Sequence, residues 1–302
     1  MNKLPLVSIG LPVLNGEKYI KYAVDSILNQ TYLKIELIIS INFSNDTTNS
    51  IVEKLKSKYK WIKVYKHKSK ISLPENFDFV LKKANGEFFM WFAHDDCISR
   101  NYILNSVNFL SKYKDCCVVQ SKIETIRLPS RKKIQTICFA NQEVVFDPRI
   151  IIKNLMSEKK FNYYFYGLFR SDILKNGYNF CNIKSSDRII LLQYAIGECR
   201  FGYLVNCTYY RGIHKMSALE RYPDDEIELK IAKQKWILNF FEAFNFFLKM
   251  IEKQNNFSID RLKTFKFLIL LFLFFTKRQI ILILRYFKMI FVKYVKKFKL
   301  IK

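Results

Sequence analysis

Between residues 6 and 119 short apolar runs alternate with stretches whose apolar residues recur at helical period, which confines this part of the chain to strand-helix-strand units and a parallel sheet. The first run, 6–12, reads as a strand, and Asn15 is placed to cap a helix with Ile20, Ala23, Val24, Ile27 and Leu28 on its inner face. Strands at 35–41 and 61–65 follow, separated by a helix after Asp46 that turns Ile51, Val52 and Leu55 inward. A helix over about 74–84 buries Phe77, Val80, Leu81 and Ala84 and stops near Asn85-Gly86. Residues 87–92 are too apolar to be anything but a central strand, and they end abruptly at Ala93-His94-Asp95-Asp96. Ligands of open parallel sheets bind beyond the carboxyl ends of the strands, so this polar tip is where chemistry is expected.

The rest of the chain is less regular. Residues 122–222 mix short strands, such as 163–169 and 208–210, with a helix over 186–196 that Gly197 stops, and beyond 224 the pattern is long helix. With 302 residues, half of them apolar, and only 8 Gly and 6 Pro, a disordered or low-complexity protein is excluded, and one large α/β domain plus an appendage fits. A net charge of +25 points to nucleic acid, an anionic membrane or phosphate-bearing small molecules, or reflects an A/T-rich genome that favours Lys, Asn, Ile and Phe. The seven cysteines contain no Cys-x-x-Cys pair, which argues against a zinc ribbon and fits a reducing compartment. The N-terminal residues lack the apolar stretch of a signal peptide, so a cytoplasmic location is expected.

Two adjacent carboxylates at a strand end suit Mg²⁺ or Mn²⁺, and such an ion neutralises a diphosphate; adjacent acids also make solvated turns and helix caps. Glycine-rich phosphate loops are missing, both G-x-G-x-x-G and G-x-x-x-x-G-K-[ST], which argues against a dinucleotide oxidoreductase and a P-loop NTPase.

The segments Val7-Ser8-Ile9-Gly10-Leu11-Pro12-Val13-Leu14-Asn15-Gly16-Glu17, residues 37–48, Asn76-Phe77 and Ala84-Asn85-Gly86-Glu87, in this order before the acidic pair, resemble glycosyltransferase family 2 with its GT-A fold. The resemblance spans 5–104 and, more weakly, 163–214. It implies a Rossmann-like, mostly parallel central sheet flanked by helices, with a catalytic domain over 1–222: a nucleotide-sugar half at 1–120 and an acceptor half at 121–222. It further implies that Pro12, Leu14, Glu17, Asn76, His94, Asp95 and Arg211 border the donor, that Asp96 and His214 hold the Mn²⁺ or Mg²⁺, and that Asp187 is the base of an inverting transfer. Read without the resemblance, Pro12 ends a strand, Leu14 is buried, and Glu17 and Asp187 offset helix dipoles. The family's base-binding aspartate of the second strand is replaced by Ile41, and Ala93 stands where the first acid of Asp-x-Asp often lies, while Asp46 reads as a helix cap. The aromatic run 163–166 is expected in the core, or stacked on an acceptor sugar.

The implied partners are a nucleoside-diphosphate sugar, with a UDP-sugar as the default, and a glycan or lipid-linked acceptor. Residues 223–302 form the basic helical extension, and within 257–302 twelve Lys or Arg face Asp260 alone. The longest apolar run there, 267–275, has nine residues and falls short of the roughly 20 a spanning helix needs. A basic, aromatic-rich helix of this kind is expected to lie on an anionic membrane surface, on the inner face of the cell membrane, or else to pack on the catalytic domain. Two other functions remain in view: nucleotidyl transfer to a sugar phosphate, which normally needs a glycine-rich N-terminal loop, and non-catalytic nucleic-acid binding, for which no motif accompanies the charge.

Overall fold

In the computed structural model, which describes residues 4–156, 160–177 and 186–214, the first apolar run forms β1 (Val7–Val13), a fully buried strand. It pairs in parallel with β2 (Ile35–Ile41) on one side and β4 (Phe88–Trp91) on the other, and β3 (Ile62–Lys66) adds to β2. Three amphipathic helices make the crossovers: α1 (Ile20–Leu28), α2 (Thr48–Lys58) and α3 (Leu73–Lys82). The start of α3 is fixed by a capping box, in which Ser72 Oγ accepts from the Glu75 amide and the Glu75 carboxylate accepts from the Ser72 amide.

The second half continues the sheet. After β5 (Cys97–Ile98) and α4 (Tyr102–Lys112) come β6 (Cys116–Arg127), β7 (Lys132–Ile137), β8 (Val144–Phe146) and α5 (Pro148–Met156). A 3₁₀ turn (Lys160–Tyr166), β9 (Leu168–Arg170), α6 (Ser171–Gly177), α7 (Ser186–Ile196) and β10 (Arg200–Ile213) complete the described part. The strand order is β3-β2-β1-β4-β9-β6-β10-β5, with β7 beside β6 and β8 beside β10. The sheet is thus parallel through its first four strands and mixed beyond them, because β9 is antiparallel to both β4 and β6. Two reversals restore the original direction, and β6 and β10 run parallel to each other. The carboxyl ends of β1, β2, β3, β4, β6 and β10 therefore share one edge.

That edge opens where β4 leaves β1. Their pairing stops at Gly10 with Trp91, while β1 continues beside β2 to Val13. The Gly10 carbonyl accepts from the Phe92 amide, so Pro12, two residues on, faces the same side, where no β4 partner remains for the amide it lacks. A proline in a central strand is tolerated here because the ladder has already parted.

Two expectations need correction. Asn15 does not cap α1; the helix starts five residues later, after Tyr19, and Asn15 has a left-handed φ of 52° with its side-chain oxygen accepting from the Asn45 amide. Residues 163–169 are not one strand. Phe165 stacks on Trp91 at 4.5 Å, while the adjacent Tyr164 lies among Phe139, Phe161 and Phe201. The chain meets both demands with a 3₁₀ turn and reserves β9 for Leu168–Arg170. The chain divides into units 1–217 and 218–302, and the readings of the tail as helical and membrane-bound fall outside the described residues. Among the described residues no helix is long and apolar enough to cross a membrane.

At the amino ends of the strands a buried carboxylate ties the first half together. Glu36 of β2 accepts from Ser8 Oγ of β1, from Lys63 Nζ of β3 and from the Asn85 amide at 2.7 Å, and Ser8 Oγ accepts in turn from the Gly86 amide at 2.7 Å. A Cβ on Gly86 would sit 2.6 Å from the Leu6 carbonyl oxygen, which explains glycine at this approach. Burial raises the Glu36 pKa, but the donors from Lys63, Ser8 and Asn85 outweigh it and hold the carboxyl below its ordinary range. Glu36→Gln is expected to cost about 2–3 kcal/mol at pH 7 in urea denaturation, through lost charge-assisted bonds and donors left unpaired. Because the folded pKa is depressed, this stabilisation is complete above the unfolded value of about 4.3 and fades as pH falls through the folded value. The gap between wild type and variant should therefore narrow below about pH 4, and a gap independent of pH would contradict the assignment.

Candidate active site

The turn after β4 carries three potential ligands to the open edge. His94 and Asp95 are partly exposed, and Asp96 turns into the protein and is 4% exposed. Both Asp96 oxygens are held internally: Oδ2 accepts from Tyr209 Oη at 2.5 Å and Oδ1 from the Gly212 amide at 2.8 Å. These two bonds fasten the end of β10 to the turn, and they bring His214 against Asp95. His214 Nε2 lies 3.2 Å from Asp95 Oδ2, and its ring packs against Tyr19 at 4.7 Å. Gly212 makes the junction possible, because a Cβ there would collide with the Asp95 carbonyl oxygen.

The two acids sit in opposite electrostatic situations. For Asp95 burial acts upward, but the hydrogen bond with His214 and the nearness of His94 and His214 prevail and hold the carboxyl below its usual range. For Asp96 burial and the Asp95 charge push the pKa up, against the bonds from Tyr209 and Gly212. The ligand atoms of His94, Asp95 and His214 lie within 4.8 Å of one another. Two imidazole nitrogens and a carboxylate oxygen form a donor set suited to a first-row divalent ion. Of the residues expected to hold the cation, His214 thus joins this group. Asp96 does not, and its neighbour Asp95, expected at the donor, takes part instead.

On the side of β1 and β2 the expected donor residues lie in two interlocked loops. The Gly16 amide donates to Thr48 Oγ1 at 2.8 Å and the Glu17 amide to Asp46 Oδ2 at 3.1 Å, while the Glu17 carboxylate accepts from the Thr47 amide and hydroxyl. Asp46 also accepts from the Thr48 amide, but the cap position of α2 is Thr47, so Asp46 precedes the cap it was expected to supply. Pro12 is buried in β1 and Leu14 is partly buried beside the opening. Ile41, in the place of the family's acid, is core. Asn76 is buried on α3, where its carbonyl accepts from Ser40 Oγ and its amide donates to the Ser40 carbonyl, so it fastens α3 to β2.

On the side of β10, Arg211 donates to Tyr163 Oη at 2.9 Å, its guanidinium lying 5.3 Å from that ring's centroid. Asp187 occupies the first turn of α7, as the sequence suggests. Tyr166, partly buried, has its pKa raised first by burial and then by the charges of Asp96, Asp187 and Asp95, with Arg211 opposing. The charges of the expected base and of the acid pair thus both act on Tyr166, although Asp187 follows the pair by some 90 residues. Tyr19, Tyr166, Tyr209 and Gly212 were not identified from sequence as site residues; only Tyr166 carried a signal, as a member of the aromatic run.

The sequence profile of the glycosyl transferase family 2 matches residues 8–177, more than half the chain. An uncharacterized glycosyltransferase of Rickettsia typhi is 37% identical over 108 residues, 36% of this chain and 33% of that protein. The minor teichoic acid biosynthesis protein GgaB of Bacillus subtilis is 30% identical over 110 residues, 36% of this chain and 12% of that protein. The chain spans at most about a third of the length of the first relatives it matches. In fold it resembles S. aureus TarS 1–349, with a TM-score of 0.61 and 20% identity for the complex with UDP-GlcNAc, covering 84% of this chain and 73% of that one. The complex with UDP gives a TM-score of 0.59 over 87% and 69%, again at 20% identity. With the family profile spanning residues 8–177, which include the turn bearing His94, Asp95 and Asp96, the chain belongs to glycosyltransferase family 2.

Proposed function

We propose that this protein transfers a sugar from a nucleoside-diphosphate donor to a hydroxyl of a surface glycan or lipid-linked saccharide, with inversion. The observation that carries the reading is the convergence of His94, Asp95 and His214 at the carboxyl edge of the sheet. The donor's base would lie toward the tips of β1 and β2, bordered by Leu14 and Glu17, and its diphosphate would lie at the tip of β4. A UDP-sugar is the first donor to test, since the TarS structures named above contain UDP and UDP-GlcNAc. An acceptor in surface-polymer assembly accords with the name of the GgaB relative.

In this reading His94, Asp95 and His214 are the residues that hold the cation, in place of Asp96. A bound divalent ion supplies charge neutralisation for the departing nucleoside diphosphate. Mn²⁺ suits two imidazoles better than Mg²⁺, which prefers oxygen ligands in octahedral geometry. Asp96 positions the group by holding β10 to the turn. Asp187 accepts the proton of the acceptor hydroxyl as that oxygen attacks the anomeric carbon, and the nucleoside diphosphate departs from the opposite face. Arg211, held by Tyr163, is in place to meet a phosphate.

Two measurements test the assignments. Asp95→Asn should weaken UDP binding in the presence of Mn²⁺ by roughly tenfold or more in calorimetry, since a ligand to the ion is lost. Its UDP affinity in chelator should match that of wild type, and an unchanged affinity in Mn²⁺ would contradict the ligand role. Asp187→Asn should lower kcat by about 10²–10⁴ with little change in UDP affinity, as expected for loss of a general base. Turnover at the wild-type rate with the nucleotide sugar found to be used would remove Asp187 from the mechanism.

A further inference from the structure

The turn joining β6 to β7 stands at the same edge as the active site. In the parallel pairing of β6 with β10, Arg127 is opposite Ile213, the residue before His214, and the Leu128 amide donates to the Ile213 carbonyl at 2.9 Å. The turn is internally braced, with Ser130 Oγ donating to the Arg127 carbonyl and accepting from the Lys132 amide. Its tip reaches back over α1, where the Arg131 guanidinium lies 5.0 Å from the centre of the Tyr22 ring. Arg127, Arg131, Lys132 and Lys133 are all exposed, and from residue 125 to 142 the sequence contains no acid.

The charge arrangement here works against stability. Arg127 and Lys132 are direct cross-strand partners, and like charges in that position repel. Lys133 approaches Glu124 at 3.8 Å, but among the described residues no ion pair engages Arg127, Arg131 or Lys132. A cluster of exposed cations without ion-pair partners among the described residues, opposite the residue before His214 and on the side of the sheet away from β2 and β3, suits an anionic occupant.

We propose that this hairpin, through Arg127, Arg131 and Lys132, docks the backbone phosphates of the acceptor, which is accordingly a phosphate-bearing polymer and not an uncharged glycan. The inference rests on the transferase reading and adds the acceptor's chemical class. Successive phosphates along a chain match cations spaced along a hairpin, and the Arg side chains add bidentate hydrogen bonds to the attraction of charge. Guiding the polymer along β6 would deliver one of its hydroxyls between the end of β10 and Asp187.

The test uses the full chain and linear inorganic polyphosphate as the probe, in titrations across a salt series. Arg127→Gln/Arg131→Gln/Lys132→Gln should bind polyphosphate roughly tenfold more weakly or worse, with a flatter dependence on salt, because each lost contact removes a counterion-release contribution. Neutralising Lys54, Lys56 and Lys60, equally exposed around α2, should leave binding near wild type. If the hairpin variant binds polyphosphate as wild type does, or loses only its binding to vesicles containing phosphatidylglycerol, the proposal is overturned. UDP binding in Mn²⁺ is measured on the same proteins. Its retention in the hairpin variant is expected, whereas its absence in wild type would sink the transferase reading itself.

Discussion

The arrangement of the candidate active site depends on one buried carboxylate that turns away from the open edge. Asp96 accepts from Tyr209 and from the Gly212 amide, and through those two bonds the last described strand is fixed to the turn after β4. They act beside the antiparallel pairing of β10 with β5, where Tyr209 and Tyr210 face Ile98 and Cys97, and together these contacts hold His214 against Asp95 across more than 100 positions of sequence. Enclosing a carboxyl group is costly unless its lone pairs are satisfied, and here both oxygens are. The residue whose environment is most protein-like is the one that organises its more accessible neighbour.

The sheet's topology distributes the work on either side of that junction. β1 and β2 end in loops that lace to one another through Asn15, Gly16, Glu17, Ser44, Asp46 and Thr48, making a firm wall next to the gap left by β4. β6 and β10 end on the other side, after the two reversals through β9, and carry the basic hairpin and Arg211. The Glu36 network at the opposite edge holds β1, β2 and β3 in register with the turn into β4, so that the four strand tips meet the same opening. The Glu36 network thus lies at one end of the strands and the candidate site, with its Asp96 fastening, at the other.

Much of this was legible in the sequence. The run 35–41 coincides with β2, the helix 186–196 with α7, and the acidic turn lies where the burial pattern of residues 87–92 required it. What composition and period cannot resolve is which of two adjacent acids faces inward. Successive side chains diverge, so one of the pair is committed to the core and one to the edge, and the choice is made by Tyr209 and Gly212, far away in sequence. The same holds for residues 163–166, whose aromatic character reads as strand. They form a 3₁₀ turn instead, in which Phe165 stacks on Trp91 and Tyr164 packs on Phe201. Asn15 looked like a cap because caps are recognised locally, whereas its partner, Asn45, belongs to the next loop.

The most direct test of the account is a crystal structure of the protein with UDP and Mn²⁺, read by anomalous scattering at the manganese edge. The account predicts a single peak bounded by His94, Asp95 and His214, in contact with the diphosphate, with Asp96 still bonded to Tyr209 and Gly212. A peak coordinated by Asp96, or nucleotide bound with no metal at this corner, would contradict it.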